Sequence, residues 1–568
     1  MKIKTIHTTA GQSLPAEKFI VLVGPNNSGK SQTLKDIHTL MYSGPTERIV
    51  LVKSIDLEKP THFNELLQGL KISKNPGRPR ESMIMGIGAR LIGNESLPIN
   101  LSEKETEFDK ASNANFILGN LSRFHITYLD VQNRLTIAQT SPAKNPHDKR
   151  TINPLDALYK DTSGAMDELK VIFRQAFNMD VEFDYSGLIE YCFRLADQFP
   201  KIPVDPKKAF PIMGKYGKLD VQGDGFKSFV AVVLSLLIAK SRITLIDEPG
   251  AFLHPPQARL LGRWIAEYSN TISAQLIAAT HNSNILSGIL SGSHNVQILR
   301  LNRTANTTTY HQMSPESTSK LAKSPLLSNQ RILDAVFYTG VAVCEADADR
   351  CIYQIVSTKE FNNQNILFVH AHNKQTIKDA VDLLRDASIP VCAITDIDIL
   401  DSEVEFTNLL KALGVDNASE LTDYVEMQKH IFSLIESKSE AATLDGLKEK
   451  IRIFLEQLNR NEHSLDNAKG ALNRIRRGIS KWNEIKKKGI QSFPENGQKT
   501  IQEFLENLRV KGLFIVPVGE LESWMHLGTT RKNKWIVLAL EALHNGKCGS
   551  ELRRFIGQVL QFLGEIVD

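Results

Sequence analysis

The stretch VLVGPNNSGKSQTLKDI, residues 21–37, restricts this chain more than any other. Apolar residues run into a glycine-rich loop that ends Gly-Lys-Ser, and a helical pattern follows at once. Gly24, Pro25, Asn26, Asn27, Ser28, Gly29, Lys30 and Ser31 satisfy GxxxxGK[ST] at every fixed position. The glycines let the backbone close around phosphate, while successive N–H groups and the helix N-terminus supply anion-binding dipoles. In such a loop the lysine reaches the β- and γ-phosphates and the serine hydroxyl binds Mg²⁺. A strand, loop and helix of this kind need a parallel sheet behind them, so the first part of the chain reads as α/β.

SRITLIDEPGAFLHP, residues 241–255, supplies the partner strand. Asp247 at its end is expected to hold the Mg²⁺ through water, and Glu248 to orient or deprotonate the attacking water. The plain alternative, a buried strand ending in an exposed acidic turn, loses weight because the phosphate loop stands upstream. QGDGFKSFVAVVLSLLIAK, residues 222–240, is a glycine-rich turn opening a buried helix just before that strand. AQLIAATHNSNIL, residues 274–286, is a further apolar strand ending in Thr280-His281.

Phosphate loop, glycine-rich helix start, Asp-Glu strand and His strand, in this order, resemble the ABC-type ATPases, in particular their DNA-associated branch of repair and chromosome-organising ATPases. The resemblance implies that Gly223 and Gly225 of one subunit close over the γ-phosphate held by another, that His281 senses that phosphate, and that the protein forms a head-to-head dimer sharing two ATP sites. The family signature usually begins with Ser, whereas this chain reads Gly223-Asp224-Gly225. An acidic side chain near a triphosphate is unfavourable, so slow turnover is expected.

Composition excludes several classes. A 568-residue chain that is 42% hydrophobic and 23% charged has ample core, and a net charge of +4 is too small to imply nucleic-acid binding except through a local patch. Cys192, Cys344, Cys351, Cys392 and Cys548 are scattered, odd in number and without a CxxC pair, which argues against a disulfide framework or a structural zinc site. The longest apolar run, FVAVVLSLLIA, is short of the ~20 residues that span a bilayer, and the N-terminus has no apolar signal core. A cytoplasmic protein without membrane contact is expected. Residues 1–300 read as the ATPase domain, with 45–220 containing an inserted subdomain. In that segment LSRFHITYLDVQNRLTIAQ alternates like strands and PLDALYKDTSGAMDELKVIFRQAF reads helical. Gln132 cannot be assigned a metal-contacting role from the sequence.

Residues 301–338 read as a connector containing helical stretches and a candidate dimerisation segment. Beyond it the chemistry changes. GVAVCEADADRCIYQIV places a short apolar strand before Glu345, with Asp347 and Asp349 following and a helix from Arg350. PVCAITDIDIL repeats the design with Asp396 and Asp398. ILFVHAHNKQTIKDAVDLLRDA between them reads as strand and helix, giving a β-α-β-α-β run whose carboxylates all fall at strand C-terminal ends. Acids converging there repel unless cations lie between them. An oxygen-only set suits Mg²⁺ or Mn²⁺, and two such ions about 4 Å apart can stabilise the attacking and leaving oxygens of phosphodiester cleavage.

A Glu at one strand end and Asp-x-Asp at another about fifty residues on resembles the Toprim domain of topoisomerases, primases and several nucleases. Asp349, four residues after Glu345, fits the nuclease subset. His372-Asn373-Lys374 departs from the glycine-rich turn common there. GLFIVPVGELESWMHL, residues 512–527, is an apolar strand followed by Glu520 and Glu522. This resembles the OLD family (overcoming lysogenization defect), in which an ABC-type ATPase precedes a C-terminal Toprim nuclease. By that match Glu522 completes the metal site with Glu520 in reserve, and Lys532 or Lys534 assists the scissile phosphate; the sequence leaves the choice of lysine open. The fold class implied is α/β throughout: a P-loop ATPase domain, then a Toprim core at 339–400 and 509–568 interrupted by a helical insertion at 401–508.

NRIRRGISKWNEIKKKGI, residues 473–490, ends the insertion with seven Lys/Arg, one Glu and a tryptophan. Arg474, Arg476, Arg477, Lys481, Lys486, Lys487 and Lys488 are the best local candidates for DNA backbone contact, and a solvated helix face is an equal alternative. The resemblance implies a metal-dependent DNA endonuclease gated by ATP, acting in anti-phage defence alone, with a helicase-like subunit as in Gabija-type systems, or with a retron reverse transcriptase–DNA complex. An ATP-driven DNA clamp with an inert Toprim-like domain is the second reading. It is disfavoured by the absence of long heptad arms. A transporter ATPase subunit is the third, and it leaves the carboxylate half unexplained.

Overall fold

The structure is a computed structural model. It describes the chain except residues 44–47, 76, 92–93, 113–115, 144–150, 152, 240–241, 294, 324–332, 372–373, 437–439, 460–467, 470–471, 473–481, 530–531 and 565–568. The chain divides into two compact units, Met1–Phe337 and Tyr338–Asp568.

The first unit is organised by a six-stranded sheet in the order Thr307–Gln312, Gln297–Thr304, Phe19–Val23, Leu276–Ala279, Ile243–Asp247, Ile126–Leu129. The strands from Gln297–Thr304 to Ile126–Leu129 pair in parallel, and Thr307–Gln312 closes the edge as an antiparallel hairpin. Strands covered on both faces need continuous apolar runs rather than alternation. FIVLV, ITLID and LIAA are accordingly buried at every position. Register brings Asp247 opposite Ala279, so the acidic strand and the histidine strand end side by side.

Three expectations change here. Residues 297–312 belong to the core sheet, with Ile298, Leu299, Leu301 and Tyr310 buried, so the ATPase unit continues past residue 300 into the segment read as a connector. Ile126–Leu129 is the edge strand of that sheet, and Val52–Leu57 pairs with Ile3–Thr8, so the segment 45–220 is woven into the unit as well as inserted. VQNRLTI is helical (Val131–Ile137) rather than strand-like, because the Asp130 carboxylate accepts the Gln132 and Asn133 N–H groups at 2.9 and 2.7 Å and caps the turn.

Helices Pro255–Thr271 and Ser283–Gly292 pack with almost no space between their backbones. A Cβ added at Gly262 would run into the Ile285 carbonyl, and one at Gly288 into the Arg259 carbonyl. Backbone cannot yield as a flexible side chain can. Gly288→Ala is therefore expected to destabilise the first unit by about 1–3 kcal/mol, read as a lowered thermal midpoint; an unchanged midpoint would contradict this packing.

The second unit carries a four-stranded, all-parallel sheet in the order Ile366–His370, Gly340–Cys344, Val391–Thr395, Leu513–Ile515. Helices Asp347–Phe361 and Lys374–Asp386 form the crossovers, and the former begins at Asp347, earlier than Arg350. Between Thr395 and Leu513 the chain is helical wherever described outside short connections, including Glu403–Ala412, Ala418–Glu436, Glu440–Asn459 and Glu495–Val510. Register pairs Cys344 with Ile394 and Thr395 with Ile515. The central strands therefore finish within one residue of each other, and the next residues, Glu345 and Asp396, emerge at the same edge of the sheet.

Candidate functional site

In the first unit the phosphate loop links strand Phe19–Val23 to helix Lys30–Ser43. Gly24 takes φ +141° and lies so close to the neighbouring strand that a Cβ would run into the Leu301 carbonyl. Gly29 takes φ +103°. Pro25 is half-buried, Asn26 and Asn27 are exposed, and Ser28 and Lys30 are buried. The Lys30 ammonium donates to the Gly24 and Pro25 carbonyls, both at 2.9 Å. Burial lowers its pKa, opposed by Glu248 and Asp247. The Ser31 hydroxyl donates to Asp247 Oδ1 at 2.9 Å, so the two residues assigned to Mg²⁺ already face each other. Burial raises the Asp247 pKa, and the Ser31 hydrogen bond opposes that rise.

Glu248 takes φ +50° and turns toward the adjacent strand end. Its Oε1 lies 2.6 Å from His281 Nδ1, and its Oε2 accepts the His281 backbone N–H at 3.2 Å. The Glu248 carboxylate consequently raises the His281 pKa. Gly223 is exposed at the N-cap of helix Asp224–Ile238, and Gly225 sits where a Cβ would be 2.8 Å from the Phe252 carbonyl. Asp224 is paired with Lys227 at 3.3 Å. Sequence reasoning missed Arg134, a fully buried guanidinium that donates to the Asp247 carbonyl at 3.0 Å. Burial lowers its pKa to about 10. Within VQNRLTI nothing sets this arginine apart from a surface residue. Gln132 is exposed in the first turn of the same helix.

In the second unit Glu345, Asp396 and Asp398 each offer a carboxylate oxygen within 4.8 Å of the others. Glu345 is oriented by the Asp396 N–H, which donates to its Oε1 at 3.0 Å. Burial, then the Glu345 carboxylate, push the Asp396 pKa well above the ordinary range. Gathered acids of this kind, all oxygen donors, fit a hard divalent cation. Asp349 is buried beside them, but its Oδ2 accepts the Ala346 N–H at 2.9 Å and caps helix Asp347–Phe361. Asp347 is exposed and paired with Arg350 at 2.7 Å.

Glu520 stands just before the 3-10 turn Leu521–Trp524, and Glu522 lies within it; neither falls inside the tight trio. The Gly519 carbonyl accepts the Ile397 N–H at 3.2 Å, which sets this turn against the Asp396–Asp398 loop. Lys532 opens helix Lys532–His544, and Lys534 in its first turn is exposed.

Of the basic candidates, Arg474, Arg476, Arg477 and Lys481 lie outside the described residues, as do His372 and Asn373. Lys487 and Lys488 are exposed. Lys486, read from the sequence as a DNA contact, faces the acidic trio: its ammonium is 2.8 Å from Asp398 Oδ2 and 3.5 Å from Asp396 Oδ2. Burial opposes its charge, yet Asp398 and Asp396 hold its pKa above the usual lysine value. Among the described residues no helix is long and apolar enough to cross a membrane.

Two family models match. Residues 118–287 match "AAA domain, putative AbiEii toxin, Type IV TA system", a span that includes Asp247, Glu248 and His281. Residues 336–398 match "Overcoming lysogenization defect protein-like, TOPRIM domain", a span that includes the acidic trio. The chain joins an ATPase-type domain to a Toprim-type domain. Within that class its Toprim half is of the OLD type, and the order of the two domains is that of the OLD family.

No curated protein matches the chain. Among solved structures it is similar to the SMC head domain from Thermotoga maritima, at 13% identity and TM-score 0.28 over 55% of this chain and 100% of that one. It is also similar to the Smc head domain with an extended coiled coil bound to the C-terminal domain of ScpA from Pyrococcus furiosus, at 11% identity and TM-score 0.30 over 56% and 98%.

Proposed function

We propose that the protein is an ATP-regulated, divalent-metal-dependent DNA endonuclease. The observation that carries this reading is the convergence of Glu345, Asp396 and Asp398 at the adjacent C-terminal ends of two parallel strands. These three would hold Mg²⁺ or Mn²⁺, with Glu520 or Glu522 as a further ligand. Such an ion, when bound, supplies the positive charge that a phosphodiester transition state needs. The chain's own part is orientation: the Asp396 N–H fixes Glu345, and the register brings both acids to the same end of the sheet, one residue apart in depth.

At the other site Lys30 and the loop N–H groups bind the triphosphate, Ser31 and Asp247 hold its Mg²⁺, and Glu248 orients water with His281 beside it. The exposed Gly223 helix start suits a second subunit's nucleotide, so ATP binding is read as assembling a dimer and gating DNA access. A role in anti-phage defence, with or without a partner protein, fits the OLD-type domain plan.

Supercoiled plasmid incubated with Mg²⁺ or Mn²⁺, with ATP, a non-hydrolysable analogue or no nucleotide, tests the reading. Nicked or linear product is expected with a divalent ion and none in its absence. Intact plasmid in every lane would favour the clamp.

A further inference from the structure

One peptide at the end of the acidic strand, between Asp247 and Glu248, is gripped from both sides. Its N–H, that of Glu248, donates to the Ala279 carbonyl at 2.8 Å. A trans peptide points its N–H and C=O in opposite directions, so the Asp247 carbonyl faces the other neighbouring strand, Ile126–Leu129. That ladder stops at the pair Ile246–Leu129, one residue short of Asp247, and the chain turns into helix Val131–Ile137 under the Asp130 cap. Arg134 supplies the donor instead. It stands one turn into the helix, with its own N–H on the Asp130 carbonyl at 3.2 Å, and its Nη1 donates to the Asp247 carbonyl at 3.0 Å.

This grip bears on both acids through one rotation. Turning the Asp247–Glu248 peptide plane changes ψ of Asp247 and φ of Glu248 together. Glu248 holds φ +50°, a left-handed conformation that L side chains rarely adopt, and in it the carboxylate meets His281 Nδ1 at 2.6 Å. With the Arg134 donor gone, the glutamate is freer to relax to negative φ. Such a turn re-aims its carboxylate and shifts Asp247, which receives the Ser31 hydroxyl.

Packing alone does not account for this arginine. Its guanidinium is fully buried, and Nε and Nη2 meet no hydrogen-bond partner among the described residues. Burying a cation with donors unmet carries a free-energy cost that an apolar side chain of similar size avoids. The carboxylates that act on its charge are Asp247, Glu248 and Asp130.

We propose that Arg134 is a positioning residue for ATP hydrolysis. It locks the Asp247–Glu248 peptide and so keeps the glutamate aimed at the attacking water, without touching the nucleotide itself. The proposal rests on the reading of Asp247 and Glu248 given above.

The test measures ATP turnover and fluorescent-nucleotide affinity on the full-length chain with Mg²⁺, for wild type, Arg134→Met, Arg134→Lys and Glu248→Gln. Arg134→Met, close in volume but without donor or charge, should lower kcat at least about tenfold and leave affinity within about threefold of wild type. Arg134→Lys keeps the charge and a donor and should recover at least about threefold of that loss. Arg134→Met turning over within about twofold of wild type, while Glu248→Gln is slow, would overturn the proposal and leave the ATP site standing. So would affinity and turnover falling together in both Arg134 variants, the mark of a merely structural arginine, or no recovery in Arg134→Lys. No turnover in the wild type, or turnover that Glu248→Gln leaves undiminished, would take away the ATP-site reading and the proposal with it.

Discussion

Glu345→Ala is expected to slow DNA cleavage on the order of a thousandfold, about 4 kcal/mol of barrier, while ATP turnover stays within about twofold of wild type. Its carboxylate is one of three gathered oxygen donors and the one that the Asp396 N–H holds in place. Removal therefore takes away a ligand and leaves that N–H without its acceptor. Asp396→Asn separates these effects, since it keeps shape and backbone and loses only the charge; a comparable loss is expected. The residues proposed to bind ATP lie in the other compact unit, which is why their chemistry should persist. Cleavage and ATP turnover falling together in both variants would contradict two separate sites.

Lys30→Ala is expected to weaken ATP binding on the order of a hundredfold, about 3 kcal/mol, and to abolish ATP turnover. The ammonium is buried and already donates to two loop carbonyls, so the side chain is positioned before any phosphate arrives. No other lysine of helix Lys30–Ser43 occupies this place; Lys35 lies farther along it. Fluorescent-nucleotide titration measures the effect. Unchanged affinity would refute the loop, and intact plasmid cleavage by the same variant would show that nucleotide is not required for the cut.

The residues of both candidate sites were legible because they lie where short-range rules apply. A phosphate loop needs its glycines adjacent in sequence, and Asp247, Glu345 and Asp396 each follow a short apolar run whose end they mark. The hairpin Gln297–Thr304 to Thr307–Gln312 was not legible, since LNRTANTTTYHQ is polar on its outer face and reads like a linker. Its membership of the core comes from pairing with Phe19–Val23, some 280 residues earlier, which no local pattern encodes. Val131–Ile137 misled for the opposite reason: it follows the strand-like run HITYL and holds Val131, Thr136 and Ile137, but one capping aspartate decides for helix. Lys486 shows the same limit at the site. A basic run seen alone reads as a nucleic-acid contact, and only the fold turns one of its lysines onto two aspartates.

The most direct measurement is metal add-back. Protein stripped of divalent ions is mixed with end-labelled DNA, and Mn²⁺ is then supplied to wild type and to Glu345→Ala in parallel. Cleavage that begins in the wild type only after Mn²⁺ is added, and stays absent in the variant, is the result expected of a metal-dependent nuclease built on this acidic trio. Cleavage of equal rate in both proteins, or in the wild type before any metal is supplied, would contradict it.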